Sequence, residues 1–289
     1  MSRDCSSLRG IHFLLELSGL GFAGVRAPVF INCRDRLSPL TALVDWLELA
    51  GVQEIYFLDN DSQYEPLMHY FAATPHTVVP LGANYGRLAM WEAPGVFALT
   101  RNRPFVYTDP DIVPDPMCPL DAVGHFDELL ARFPAVSKAG FGLRIDDLPD
   151  HYRHKAAVVD WEEQFWRLPL GGGAYYAPID TTFALYRAGS PMRSDAIRTG
   201  PPYVARHTSW YIDFADLDEE ERFYATRLAE DTEHSPGTSH WVSPELRPEF
   251  TRLAERLRTS DSARLGRLRS QLRWRLYERR ALRRPAPEP

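Results

Sequence analysis

Two aspartates one residue apart, Asp109 and Asp111 in "RPFVYTDPDIVPD" (103–115), form the most chemically explicit stretch of this chain. A short apolar run ends in them, and Pro110 between them fixes one backbone torsion and limits how far the two side chains splay. Three readings fit that pattern. The carboxylates could clamp a hard divalent ion, which takes oxygen ligands and keeps positions open for phosphate oxygens and water. One of them could be a nucleophile that carries phosphate. The third reading is a solvated turn at a strand end with no chemistry.

The elements around the pair bear on that choice. "APVFINC" (27–33) reads as a buried strand. In the helix that follows, Ser38 is the expected N-cap, Pro39 takes the first helical position, Leu40, Leu43, Val44 and Leu47 recur at helical spacing, and Gly51 stops it. "EIYFLDND" (54–61) and "HTVVPL" (76–81) read as further strands, with a short helix between them. Helical material over 86–100 then leads to a fourth strand at 103–109. Strands apolar on both faces that alternate with helices predict an α/β fold with a mainly parallel central sheet flanked by helices. In such sheets ligands sit at the carboxyl ends of the strands. Asn32, Arg34 and Asp35 stand after the first, Asp59-Asn60-Asp61 after the second, Gly82-Ala83-Asn84 after the third and the aspartate pair after the fourth. The second half is less regular: a strand over 134–147, an amphipathic helix over 157–168, a glycine-rich loop over 171–180, a strand over 181–187 and a helix over 217–230.

Composition narrows the class. With 44% hydrophobic and 12% aromatic residues in 289, the chain can bury a large core. Three cysteines without metal or disulfide spacing suit a reduced, cytoplasmic protein without a zinc framework. No apolar run is long enough to span a bilayer, and "IHFLLELSGLGFAGV" lacks the marks of a signal peptide. Charge is uneven: residues 250–289 carry twelve arginines against four acids, while the whole chain is at −6.

The ordered segments "PVFINCRDRLSPLTALVDWLELAG", "IYFLDNDSQYEPL", "LGANYGRLAMW", "YTDPDIVP", "KAGFGLRIDDLPDHY", "WEEQFW", "IDTTFALYR" and "ARHTSWY" span roughly residues 28–212. Together they resemble bacterial nucleotide-sugar glycosyltransferases of the GT-A fold, a Rossmann-like nucleotide-diphospho-sugar transferase architecture. The resemblance implies a GT-A domain over 1–245 and a divalent cofactor, Mn2+ or Mg2+. It also implies a nucleotide-diphosphate-sugar donor and a glycan, lipid-linked or small-molecule hydroxyl acceptor, in surface polysaccharide or glycan biosynthesis. Carried onto this sequence, it makes Asp109, Asp111 and His207 the metal ligands, with Asp109 also on the donor. Asn32, Arg34 and Asp59 would line the base and ribose site, and Asn84 and Arg87 would lie under the phosphates and sugar. For the catalytic base, which must reach the acceptor hydroxyl, the candidates are Asp180 and Glu163, with Glu162, Asp146 and Asp147 as rivals.

Two other functions stay open at this stage. "FVYTDPDIV" is also similar to the first motif of haloacid-dehalogenase-type phosphatases, with Asp109 as nucleophile and "RIDD" (144–147) as paired acids; against it, that fold normally opens on the nucleophile strand. A non-catalytic nucleotide-sugar-binding protein would keep the same rim. A nucleotidyltransferase fits less well, because no glycine- and arginine-rich loop follows the first strand.

The segment 246–289 places leucines near helical spacing among its arginines. This predicts a basic tail that docks as a helix on the acidic body, its own or that of a second copy in a homodimer, contacts an anionic membrane at its inner face, or stays disordered. An acidic body without interleaved aromatics argues against nucleic acid as a partner.

Overall fold

The computed structural model describes residues 27–193 and 195–230. The N-terminal stretch, the polar segment 231–245 and the arginine-rich tail at 246–289 lie outside them. Among the described residues ten strands form one sheet in the order β3-β2-β1-β4-β9-β6-β10-β8-β7, with β5 pairing on β10. The strands are β1 (Val29–Cys33), β2 (Ile55–Asp59), β3 (Thr77–Pro80), β4 (Phe105–Thr108), β5 (Ile112–Pro114), β6 (Lys138–Leu143), β7 (Pro169–Gly171), β8 (Ala174–Tyr176), β9 (Ala184–Tyr186) and β10 (Ala196–His207). The helices are α1 (Ser38–Leu49), α2 (Glu65–Ala73), α3 (Ala89–Glu92), α4 (Ala122–Arg132), α5 (Lys155–Glu162) and α6 (Glu219–Glu230).

The expected parallel half is present. β1 pairs in parallel with β2 and β4, and β2 with β3, so their carboxyl ends lie along one rim. Period-two alternation divides β1 between two cores. Val29, Ile31 and Cys33 pack with Leu40, Leu43 and Leu47 of α1. Phe30 packs on the other face with Met90, Phe105, Tyr107 and Tyr186. Each face buries a separate apolar cluster, and this is why the strand is apolar on both faces up to Asn32.

The second half mixes directions. β9 runs antiparallel to both β4 and β6, so it begins where its neighbours end, and its entry loop joins the same rim. Close approach is built in at Gly140, where a Cβ would lie 2.2 Å from the Phe183 carbonyl oxygen. β10 runs parallel to β6 and shifts register between Thr199 and Val204, around Gly200-Pro201-Pro202. Proline has no N–H to give a ladder. The far end of β10 pairs antiparallel with β5, His207 opposite Ile112.

Several expectations need correction. The glycine-rich stretch 171–180 is partly strand: β7 and β8 pair as a hairpin, with Gly171, Gly172 and Gly173 all at positive φ. The 86–100 region is one helical turn of α3 between two 3₁₀ segments rather than a continuous helix. Ser38 is the first helical residue of α1, not its cap: the N-cap is Leu37, without a side-chain bond. The acceptor for the Ser38 N–H is instead the Glu220 carboxylate of α6, at 3.0 and 3.1 Å. Gly51 ends α1 as expected. At φ +76° its N–H reaches the Glu48 carbonyl, and the Val52 N–H reaches that of Leu47, a Schellman motif. β5 and α4 answer to no element expected from the sequence.

Candidate active site

The rim gathers most of the expected residues, sorted by the face each occupies. Asn32, two residues beyond Phe30, faces the β4 neighbour Asp109, two residues beyond Tyr107. The Asn32 amide donates to the Gly86 carbonyl at 3.2 Å, and Asn60 donates to the same oxygen at 2.9 Å. The Asn60 carbonyl oxygen takes the Tyr85 N–H at 2.7 Å, and Asn84 takes the Gly86 N–H at 2.8 Å. Two rim amides thus fix the Asn84-Tyr85-Gly86 turn, with Gly86 at φ +61°. Asp59 accepts the Ser62 N–H at 3.0 Å and is turned to its own loop.

Asp109 accepts a hydrogen bond from the Thr181 hydroxyl at 2.7 Å. Its carboxyl is held well above the usual carboxylate range, first by burial and then by the charge of Asp111, against the stabilising contacts of Thr181 and Asn32. Thr181 and Asp180 enter from the loop before β9. That loop is pinned from beneath: the Lys138 ammonium donates to the Asp180 carbonyl and the Tyr186 hydroxyl, both at 2.9 Å. Arg198 Nε donates to the Pro178 carbonyl at 2.9 Å. Lys138 has no exposed surface, and burial pushes its pKa down to about 7 against the attraction of Asp180 and Asp195.

Past the Pro110 turn, Asp111 lies in a different setting. Its Oδ2 meets Arg36 Nη1 at 2.9 Å, the Ser209 hydroxyl at 2.5 Å and His207 Nδ1 at 3.4 Å. Burial works to raise its pKa, but His207, Arg36 and Ser209 outweigh it and the net shift is downward. The β5–β10 pairing creates this meeting, since it sets the last residues of β10 beside the turn; the Thr208 N–H donates to the Asp111 carbonyl at 2.8 Å. Arg36 in turn gives Nη2 to Glu221 of α6 at 2.7 Å and lies over the Tyr224 ring at 4.2 Å. Burial lowers the His207 pKa, although Asp111 opposes it. The His207 Nδ1 is buried without a hydrogen-bond partner among the described residues.

The remaining candidates separate clearly. Arg87 reaches across the rim to Asp180, Nη1 to Oδ1 2.5 Å. Arg34 is mostly buried, with Nε 4.0 Å from Asp35. Glu163 is not joined to the rim: it lies in the exposed 3₁₀ turn after α5 and pairs with Arg167 one turn on. Glu162 is the buried partner of Arg198 at 2.6 Å. Asp147 takes Arg206 and the Tyr211 hydroxyl, and Asp146 takes Arg144. Ion pairing therefore occupies every rival to Asp180 as base, and Asp180 itself is paired but exposed.

Sequence reading missed Arg36, Ser209, Thr181, Lys138 and Glu221. Arg36 and Ser209 lie just past the ends of β1 and β10, in the loop before α1 and in a 3₁₀ turn, where strand alternation gives no signal. Glu221, within the acidic run 218–221, reads as a solvated helix face. Asp35 also does more than punctuate β1: buried at φ +53°, it accepts the Gln63 and Tyr64 N–H groups at 2.5 and 2.9 Å and ties the β1 loop to the β2 loop.

Among the described residues no three His, Cys, Asp or Glu side chains converge as a ready metal cage. The donor chemistry nonetheless suits a hard divalent ion. Among the described residues Asp109 has no cationic partner of its own, and the unpartnered His207 nitrogen stands beside Asp111; both are groups that a cation would satisfy.

No known family and no curated protein matches the chain. Among solved structures, residues 1–349 of TarS from S. aureus align at a TM-score of 0.38 and 12% identity, over 82% of this chain and 73% of that one. A likeness at that level carries no argument about fold or function. No helix among the described residues is long and apolar enough to cross a membrane.

Proposed function

We propose that the chain is a metal-dependent glycosyltransferase of GT-A type. It would move a sugar from a nucleotide-diphosphate donor to the hydroxyl of a glycan, lipid-linked or small-molecule acceptor, in bacterial surface-glycan assembly. The observation that carries the reading is the rim itself. Four parallel strand ends and the start of one antiparallel strand bring Asn32, Asp59, Asn84, Arg87, Asp109 and Asp180 to one edge, and β10 adds His207 beside Asp111.

The roles follow from chemistry and position. Asn32, Arg34 and Asp59 offer polar groups to the base and ribose, and Arg87 offers a guanidinium to phosphate. Asp109, Asp111 and His207 would hold a Mn2+ or Mg2+ ion, whose contribution is to neutralise charge on the departing diphosphate. Asp180 takes the proton of the acceptor hydroxyl as the acceptor oxygen bonds to the anomeric carbon; the bond from that carbon to the phosphate oxygen breaks, and the nucleoside diphosphate leaves.

Calorimetry of ADP, CDP, GDP and UDP, with and without manganese, tests the reading. At least one is expected to bind only with the metal, and Asp109→Asn and Asp111→Ala are each expected to weaken that binding at least tenfold. Unchanged affinity in Asp109→Asn, which keeps the side-chain shape, would sink the metal site.

A further inference from the structure

The contact between Arg87 and Asp180 joins a residue assigned above to the donor phosphates with one assigned to the acceptor. Their side chains are 36% and 57% exposed, the most open pair on the rim. Their backbones, in contrast, are fixed. The Arg87 carbonyl accepts the buried Tyr107 hydroxyl at 2.8 Å, and the Gly86 carbonyl before it holds Asn32 and Asn60. The Asp180 carbonyl holds the buried Lys138 ammonium, and Thr181 after it is bonded to Asp109. Both side chains can therefore swing while the residues that carry them stay in place.

We propose that this ion pair is a latch opened by the donor: a nucleoside diphosphate draws Arg87 onto its phosphates, and only then is the Asp180 carboxylate free for the acceptor hydroxyl. The idea rests on the transferase reading above. A guanidinium bonds a diphosphate, with its several charged oxygens, more strongly than it bonds a single carboxylate. The pair itself is cheap to break, because exposed ion pairs shift an equilibrium by a factor of only about 1.4 to 5. Until the donor arrives, the carboxylate is neutralised and an acceptor meets no free base. Donor binding would thereby set the order of events without any loop closing over the site.

A double-mutant cycle on the full chain tests the latch, read as manganese-dependent affinity for the same four nucleoside diphosphates. In the latched protein Asp180 competes with phosphate for Arg87. Asp180→Ala is therefore expected to tighten binding about two- to fivefold, and Arg87→Met to weaken it. In the Arg87→Met background Asp180→Ala is expected to change nothing, since no competition remains. Equal tightening in both backgrounds would mean that Asp180 only repels the anion through space, and would overturn the latch. So would the absence of tightening in the unsubstituted background. If none of the four binds the unsubstituted chain, the transferase reading fails and the latch falls with it. Binding that ignores Asp180 in both backgrounds removes the latch alone.

Discussion

The two aspartates are neighbours in sequence and opposites in environment. Asp111 is the charged side of an arginine clamp: Arg36, Ser209 and His207 converge on one oxygen, and Glu221 of α6 holds Arg36 from behind. Among the described residues Asp109 receives a hydroxyl and an amide but no cation, and its pKa moves up where that of Asp111 moves down. Titratable groups pushed apart in this way take different tasks. Asp111 is a fixed charge that organises the far end of β10 and α6. Asp109 is a carboxylate short of positive charge, the one that gains most from an incoming cation.

Substitutions on the two sides should differ in sign. The largest effect is expected for Asp111→Ala, which removes one of the two carboxylates paired with the buried Arg36; breaking a buried pair from one side costs about 3–5 kcal/mol, readable from urea unfolding. If the variant lost less than about 1 kcal/mol, the clamp would be ornamental.

Next comes Lys138, which supports the Asp109 side through the Asp180 loop. Its folded pKa lies below its unfolded value of about 10.4, so the unfolded chain binds the extra proton and stability rises with pH above about 7. The slope should reach about 1.4 kcal/mol per pH unit between pH 7 and 8.5, a window below most tyrosine and cysteine titration. Lys138→Met should flatten it, and an unchanged slope would assign the rise to other groups.

Asp109→Asn should have a smaller effect of the opposite sign to Asp111→Ala. Because the folded pKa of Asp109 is raised, its charge costs stability as pH climbs past the unfolded value of about 3.9. The variant should therefore match or exceed the parent at pH 7, by roughly 1 kcal/mol, while losing manganese-dependent nucleotide affinity. Stability lost in both aspartate variants alike would erase the contrast. Glu163→Gln should do least, within about 0.5 kcal/mol of the parent and within about twofold in transfer rate, because its partner Arg167 is a surface one.

The first half of the molecule was legible from residue types because its order is local. Strands apolar on both faces, a proline-started and glycine-ended helix, and polar residues after each strand dictate a parallel βα succession, and Asn32, Asp59, Asn84 and Asp109 follow on one edge. The second half depends on pairings that no window of sequence contains. The antiparallel insertion of β9 moves Asp180 and Thr181 to the rim, and β5 with β10 brings Ser209 and His207 to Asp111. Glu162 and Glu163 part for the same reason: on a helix both acids of "DWEEQFW" look alike, and only packing against Arg198 buries one and leaves the other in solvent.

Sequence alone thus determined that carboxylates and amides crowd one edge of an α/β sheet, because hydrophobic periodicity and turn residues act over a few positions. Only the tertiary structure decided which carboxylate is clamped and which is left wanting a cation. That difference depends on a guanidinium 75 residues before Asp111 and a hydroxyl 72 residues after Asp109, brought within hydrogen-bond reach by the sheet.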